Sequence, residues 1–528
     1  MANFACLLSL IIGFLSLSQE ILWVRVVTFI SKGLPQSFAL VLFCFLVGIA
    51  AGAAIGKRFC ERHTDLLRTS AMVLAVAAMV DLSVVLLLPV LVQILRPVGF
   101  VGIMLLVTLT ALLKSIMFPI AHHLGAQPSG ARIGRSVSRV YFFNIIGSTL
   151  GPIVTGYILL DYLTFERCLW LIGLGTGALS LLCAARGRTL TLGLASAAGV
   201  LPLAILVWSM APSVVPTIAI ATQKEDFPPG SRIEHVVQNR HGIIYTATAP
   251  DGEPDWVFGG NVYDGRVAVD MQENINGLER PLVLLAVHPQ PHRVLVIGLS
   301  TGAWARILSA SPRIKELVAV EINPGYLQVI RGYPQVAGLL SDPRVEIVAD
   351  DGRRWLRRHR DDTFDLIVMN TSFFWRAYAT NLLSREFMQL VAAHLKPGGI
   401  LAINSTYSSD VLETARQVFP FVERRANFIY ASKVDFARPP AGAEQAFREL
   451  RLNDKPVFEE SAFHGDGLVR SMIDSPFMPR DQQYAGLTPA PGVITDQNLL
   501  VEYAHGNLRK LLPRFYEAVA QVRTFIHR

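Results

Sequence analysis

The stretch Arg293-Val-Leu-Val-Ile-Gly-Leu-Ser-Thr-Gly302 decides the fold of the second half of this chain. An apolar run without polar alternation marks a strand buried on both faces of a parallel sheet. The turn after it, Gly298 to Gly302, permits close approach of a ligand and opens onto a helical stretch, Ala303–Ser311. The unit then repeats. A second strand, Leu317–Val320, ends in Glu321, and a third, Val345–Val348, ends in Asp350-Asp351-Gly352. A fourth, Phe364–Met369, ends in Asn370-Thr371, and a helix over Arg385–Leu395 leads through Lys396-Pro-Gly-Gly399 to a strand over Ile400–Asn404. Strands alternating with helices predict a doubly wound α/β sheet with its ligand at the carboxyl ends of the strands.

The polar residues at those ends form a consistent set. Gly298, Ser300 and Gly302 make the turn, and Glu321 follows about twenty residues on, where an acid accepts both ribose hydroxyls. Asp351, with Asp350 and Gly352, stands where a carboxylate accepts from an adenine amino group. A buried capping acid would account for any one of these, but three consecutive strand ends carrying them point to a nucleoside. No dinucleotide GxGxxG is present, so an adenosyl ligand is favoured over NAD.

Upstream, residues 213–290 read as a small β-rich subdomain. Ile243–Ala249 is strand-like, Asp251-Gly252 signals a turn, and Trp256–Tyr263 and Arg266–Asp270 continue the pattern. Before that the chain changes character. Charged residues make up 17% of the whole, mean hydropathy is +0.40, and charges are scarce before about Pro212. Seven apolar runs are long enough to cross a bilayer: Phe4–Ile30, Phe38–Gly56, Ala71–Leu95, Phe100–Leu124, Tyr141–Leu160, Cys168–Ala185 and Leu190–Met210. The first is too long for a signal peptide and reads as a retained helix. Gln19, Glu20, Arg25, Asp81 and Asn144 fall inside spans, and Glu20 with Arg25 is expected to pair toward the bundle interior. Gly48 and Gly52, and Gly147, Gly151 and Gly156, suit close helix contact.

Loop charges bear on topology. Lys57, Arg58, Arg62 and Arg68, then Arg132, Arg135 and Arg139, then Arg186 and Arg188, gather in the second, fourth and sixth loops. That asymmetry puts the N-terminus in the cytoplasm and, with seven spans, everything after Met210 outside; either the number of spans is off by one or the second half works on the outer face, and both stay open. The net charge of +7 is largely this loop excess, and no basic stripe interleaved with aromatics suggests nucleic acid. The cysteines, Cys6, Cys44, Cys60, Cys168 and Cys183, form no CxxC or Cys/His cluster, so neither a disulfide framework nor a metal site is expected.

The motifs Val294-Leu-Val-Ile-Gly298, Val320-Glu-Ile-Asn-Pro324, Asp342-Pro-Arg-Val345, Asp350-Asp-Gly352, Asn381-Leu-Leu-Ser-Arg-Glu-Phe387 and Leu395-Lys-Pro-Gly-Gly399 together resemble the spermidine synthase superfamily. Its membrane-fused members are similar also at Gln19-Glu-Ile-Leu-Trp-Val-Arg25 and at Ile494-Thr-Asp-Gln-Asn498 with Glu502-Tyr503. The resemblance implies a multi-pass α-helical membrane domain (1–212), a β-rich subdomain (213–290), a Rossmann-like methyltransferase/spermidine synthase domain (291–440) and a C-terminal extension (441–528). It implies decarboxylated S-adenosylmethionine or S-adenosylmethionine as co-substrate, held by Glu321 and Asp351, with no metal. The setting it implies is the cell (inner) membrane and contact with the lipid bilayer, and a homodimer is compatible with this scheme.

The departures matter as much. The family's aspartate-rich gate after the fourth strand reads Asn370-Thr-Ser-Phe-Phe-Trp375 here, and its tyrosine–histidine pair falls on about Asn276-Gly277. Attack by an amine needs an acceptor for its proton, and a diamine cation wants carboxylate partners. Putrescine is therefore a poor acceptor, and an apolar or membrane-associated one is expected behind an aromatic gate of Phe373, Phe374 and Trp375. Asn370, Thr371 and Asp270 are the candidate catalytic residues, with Glu273, Asp496 and Glu502 as weaker ones. Two other readings stay open: a catalytically silent nucleotide-binding scaffold for a membrane partner, and a transporter with a regulatory domain. An external second half favours the scaffold, since adenosyl sulfoniums are made in the cytoplasm.

Overall fold

Along strand Arg293–Ile297 the side chains alternate between two cores: Val294 and Val296 enter one, Leu295 and Ile297 the other. The central strand of a two-sided sheet must be apolar at every position for this reason. The computed structural model describes residues 1–62, 65–94, 98–126, 133–224, 227–248, 252–370, 373–487, 492–498 and 500–504. Arg96, Arg132, Asp251 and Thr371 lie outside the described residues.

The chain forms two compact units. Among the described residues the first comprises Met1–Pro228 together with Gln238–Ile243, and the second Pro229–Val237 together with the chain from Ile244 to Ala504. The division falls at Pro228 rather than at 212, because the apolar helix Val214–Thr222 continues the helical unit.

In the first unit seven helices are long and apolar enough to cross a membrane: Ala2–Ile30, Gln36–Arg62, Leu66–Gln93, Val98–Gly125, Gly134–Tyr162, Phe165–Arg186 and Thr191–Thr222. Gly48 and Gly52 lie against the backbone of Thr108 and Leu112, and Gly147 and Gly151 against that of Leu10 and Phe14, where a side chain would collide. Gly156 faces open space instead. The buried polar centre differs from the expected one. Lys114 donates to both carboxylate oxygens of Asp81, at 2.6 and 2.7 Å, and to Gln19 Oε1 at 2.6 Å, while Gln19 Nε2 and Thr176 Oγ1 also donate to Asp81. Glu20 takes no part. Arg25 donates to the carbonyls of Asn239 and Gly242, at 2.7 and 2.9 Å, in the hairpin tip that belongs to this unit. On a helix Gln19 and Glu20 point about 100° apart, so only one of them can face the bundle centre.

In the second unit the β-rich part is a four-stranded sheet in the order β1 (Arg232–Asn239), β2 (Gly242–Thr248), β3 (Trp256–Gly259) and β4 (Val262–Arg266). The run Trp256–Tyr263 is thus two strands rather than one. Gly260 and Asn261 both take positive φ, 59° and 66°, and form the two-residue hairpin turn between them. No strand covers Val267–Asp270. The main sheet contains β5 (Arg293–Ile297), β6 (Glu316–Glu321), β7 (Val345–Ala349), β8 (Phe364–Met369), β9 (Leu395–Asn404), β10 (Phe421–Arg425) and β11 (Phe428–Ser432). Their spatial order is β10-β11-β9-β8-β5-β6-β7, with β9 through β7 parallel and β10 and β11 antiparallel at one edge. The strand order reverses between β5 and β8, and a doubly wound sheet opens its ligand crevice there. Of the C-terminal extension, Ile494 and Val501 pack into one of this unit's cores.

Candidate active site

The site is assembled from residues at six strands, β4 to β9. After β5 the backbone turns through Gly298 (φ 87°), Ser300 (φ 48°) and Gly302 (φ 76°) into helix Ala303–Ser309. A Cβ on Gly298 would stand 2.7 Å from the Asn370 carbonyl, so only glycine lets the β5 and β8 ends approach this closely. Ser300 Oγ donates to the Asp264 carbonyl at 2.6 Å, tying the turn to the end of β4.

Glu321, at the end of β6, is buried, and its carboxylate accepts from the backbone N–H groups of Leu299, Ser300 and Asn323 at 2.8, 3.4 and 2.8 Å. Burial pushes its carboxyl up to about 7, and nearby Asp264 adds to this against the pull of the three N–H groups. Asp351 caps helix Gly352–Arg358, accepting from Arg354 N at 2.7 Å, and a Cβ on Gly352 would meet Ile297 at 2.5 Å. Asp350 accepts from Asp351 N and pairs with Arg354 and Arg358. The expected adenosyl set, Gly298, Ser300, Gly302, Glu321, Asp350, Asp351 and Gly352, therefore lies along the carboxyl ends of three adjacent strands, β5, β6 and β7.

A cavity of about 230 Å³ opens beside this rim at the switch point. Its walls include Leu299, Ser300 and Thr301 after β5, Asn370 after β8, and Asn404, Thr406 and Tyr407 after β9. Tyr263, Asp264 and Gly265 from the end of β4, with Arg280 and Trp304, close the other side. Glu321 and Asp351 do not line it. Asn370 is present as expected, its Oδ1 accepting from Asn404 Nδ2 at 3.2 Å. Thr371 lies outside the described residues. Asp270 and Glu273 are exposed and outside the cavity: Asp270 accepts from the backbone of Gln272 and Glu273 and caps a turn. Asp496 binds Arg353 and Ser384, and Glu502 accepts from Tyr378 N, Thr380 N and Thr380 Oγ1, so both hold loops in place.

The aromatic gate is split. Phe373 lines the cavity, Phe374 is buried in the helical core, and Trp375 stacks on Phe373 with centroids 5.5 Å apart while packing against that same core. The expected arrangement, with Trp375 facing Glu321 and Asp351 across one cavity, is not formed. Consecutive residues after a strand end cannot all point one way, and a single ring reaches the cavity. Nor are its walls purely apolar, since Asp264, Arg280 and several asparagines stand among the aromatic rings.

Asp264 escaped the sequence reading. It accepts from the Tyr326 hydroxyl, stands beside Arg376, and is the one carboxylate among the described lining residues. Burial raises its carboxyl, opposed by Tyr326, Arg376 and Ser300. The dipeptide Asp264-Gly265 at a strand end repeats the signature read at Asp351-Gly352 and could have flagged it. Arg280 offered no such signal, being a single cation at the head of an apolar helix, Glu279–Val287.

Residues 282–433 match the spermine/spermidine synthase domain. The polyamine aminopropyltransferase of Mycobacterium tuberculosis is 30% identical over 233 residues, covering 38% of this chain and 43% of that protein. That of Agathobacter rectalis is 35% identical over 135 residues, 25% of this chain and 47% of its own. The chain thus spans less than half the length of these curated relatives. Among solved structures, the spermidine synthase of Thermotoga maritima is similar at 18% identity and a TM-score of 0.37, over 49% of this chain and 88% of that one. Behind its seven apolar helices, this chain thus holds a segment, residues 282–433, similar to the spermine/spermidine synthase domain.

Proposed function

We propose that this chain is a membrane-bound transferase that moves an aminopropyl or methyl group from decarboxylated S-adenosylmethionine or S-adenosylmethionine to an acceptor other than free putrescine. The observation that carries this reading is the rim of Gly298, Glu321 and Asp351 beside a switch-point cavity whose described lining holds a single carboxylate, Asp264. The acceptor's lone pair forms a bond to the carbon next to the sulfonium. The sulfur–carbon bond breaks, its electron pair returns to sulfur as a neutral thioether, and the acceptor's proton leaves. Displacement of this kind needs mainly alignment and exclusion of water, which a preformed cavity supplies. Asp264, its carboxyl raised by burial, is the group in reach of the cavity that can take the proton.

The test uses the full chain in detergent. Calorimetry with S-adenosylmethionine, its decarboxylated form and methylthioadenosine is expected to show binding of at least one of them. No binding by any would sink the transferase reading, whereas binding without turnover would favour the silent scaffold. With decarboxylated S-adenosylmethionine and millimolar putrescine, little or no spermidine is expected. Robust turnover would show that a carboxylate elsewhere replaces the family's gate.

A further inference from the structure

We propose, resting on the transferase reading above, that Arg280 receives a carboxylate in the switch-point cavity, so that this site takes an acidic group where a polyamine synthase takes a cationic one. The guanidinium forms part of the cavity wall with Asn370, Trp304 and Phe373. Among the described residues no group accepts a hydrogen bond from it, and its Nε is buried without a partner. Its ion contact, Glu279 Oε1, is 3.8 Å away, beyond hydrogen-bond range, and the other oxygen of Glu279 is taken by Asn274 Nδ2 at 2.5 Å. The guanidinium lies over Gly277, where a Cβ would stand 2.6 Å from its Cζ, so the backbone is shaped to seat it.

The remaining charge in the wall does not offset it. Asp264 accepts from Tyr326 and stands beside Arg376, on the β4 side of the cavity. A half-buried guanidinium with unfilled donors is a costly arrangement unless something occupies them, and its planar fork matches a carboxylate in two parallel hydrogen bonds. The amide nitrogen of Asn370, with no acceptor among the described residues, adds a further donor to the cavity wall, since its Oδ1 is the atom bonded to Asn404. A donor-rich wall of this kind repels the ammonium end of a diamine.

Two molecules of the reaction can supply the carboxylate: the amino-acid end of S-adenosylmethionine, which the decarboxylated form lacks, or the acceptor itself. The full chain in detergent is titrated with S-adenosylhomocysteine and with methylthioadenosine, which differ in that amino-acid end. With methylthioadenosine saturating, it is then titrated with 4-aminobutyrate and with putrescine, which differ by a carboxylate. Arg280→Met and Arg280→Lys are measured alongside. If the donor supplies the carboxylate, S-adenosylhomocysteine binds about tenfold or more tightly than methylthioadenosine, and Arg280→Met removes that preference. If the acceptor supplies it, 4-aminobutyrate binds where putrescine does not, and Arg280→Met abolishes this binding. In either case Arg280→Lys retains part of the effect, and methylthioadenosine binding by Arg280→Met shows that the fold is intact. Methylthioadenosine binding without any Arg280-dependent preference for a carboxylate overturns the proposal and leaves the adenosyl reading standing. Absence of methylthioadenosine binding in the wild type overturns both.

Discussion

At the scale of single residues, Glu321 carries the clearest consequence. Its carboxylate already accepts three backbone N–H groups, and a ribose adds two more donors to the same pair of oxygens. Glu321→Ala is expected to weaken methylthioadenosine binding by about 1–3 kcal/mol, the cost of unpaired donors. The sign of the pH effect follows from its raised carboxyl. Folded, Glu321 holds its proton up to about 7, whereas unfolded it loses it near 4.5. Its stabilising contribution is therefore fully present below 4.5 and is lost as pH rises toward 7. Ligand affinity runs the other way, because the ionised form accepts the ribose hydroxyls. It should climb through about pH 7 and then level off, and a flat profile from pH 5.5 to 8.5 would remove Glu321 from the site. Asp270 teaches the converse. As a residue type it suits proton transfer, yet it spends both oxygens on the turn that follows it.

At the scale of elements, the helical unit is organised by one ion pair that no loop or cap explains. Asp81, from helix Leu66–Gln93, and Lys114, from Val98–Ser115, are fully buried together with Gln19 from Ala2–Ile30. Removing one charge strands the other, so Lys114→Met should cost about 3–5 kcal/mol. The double change Asp81→Leu with Lys114→Met should recover much of this, since lipid-embedded bundles pack apolar side chains without penalty. The check is thermal unfolding of the detergent-solubilised protein, and equal losses in the single and double variants would contradict a stranded charge. The second unit has its own clasp. Glu502 accepts from three donors of the segment Tyr378–Thr380, which follows the cavity-lining Phe373. Glu502→Ala is expected to speed proteolysis at residues 376–384 without unfolding the sheet, and unchanged cleavage would show that the segment is held elsewhere.

At the scale of the whole molecule, the question is on which face of the membrane the second half works. If all seven apolar helices cross, the two ends of the helical half fall on opposite faces, and the charges at Lys57, Arg58, Arg135, Arg139, Arg186 and Arg188 would put the N-terminus in the cytoplasm. A reporter fused after Arg528 is then expected to be active outside. A cytoplasmic signal would mean that one helix does not cross. Gly134–Tyr162, with the lowest hydropathy of the seven at 1.5 and a π-helical turn at Thr155–Leu159, is the first to examine. That outcome would bring the site to the compartment where adenosyl sulfoniums are made, and an external one would favour the scaffold reading.

Much of this was legible along the chain. The seven spans and the central stretches of β5, β6, β8 and β9 announce themselves through apolar runs, because burial on both faces demands the same residue type at successive positions, whereas the edge strand β7 carries Glu346 and is only partly buried. Gly298, Glu321 and Asp351 were readable because a doubly wound sheet puts its ligand at consecutive strand ends. Residues 256–263 misled because aromatic and apolar content alone does not reveal a turn, and the Gly260-Asn261 pair was read through. The remainder needed the folded chain. Lys114 meets Asp81, and Arg280 and Asp264 come to line one cavity with Asn370, across separations that no local pattern encodes. The splitting of Phe373 from Phe374 depends on side-chain direction after β8, which the backbone of that segment decides. Periodicity reports how each element is buried. Which polar groups are left facing one another across the cavity depends on how strands and helices distant in sequence pack together.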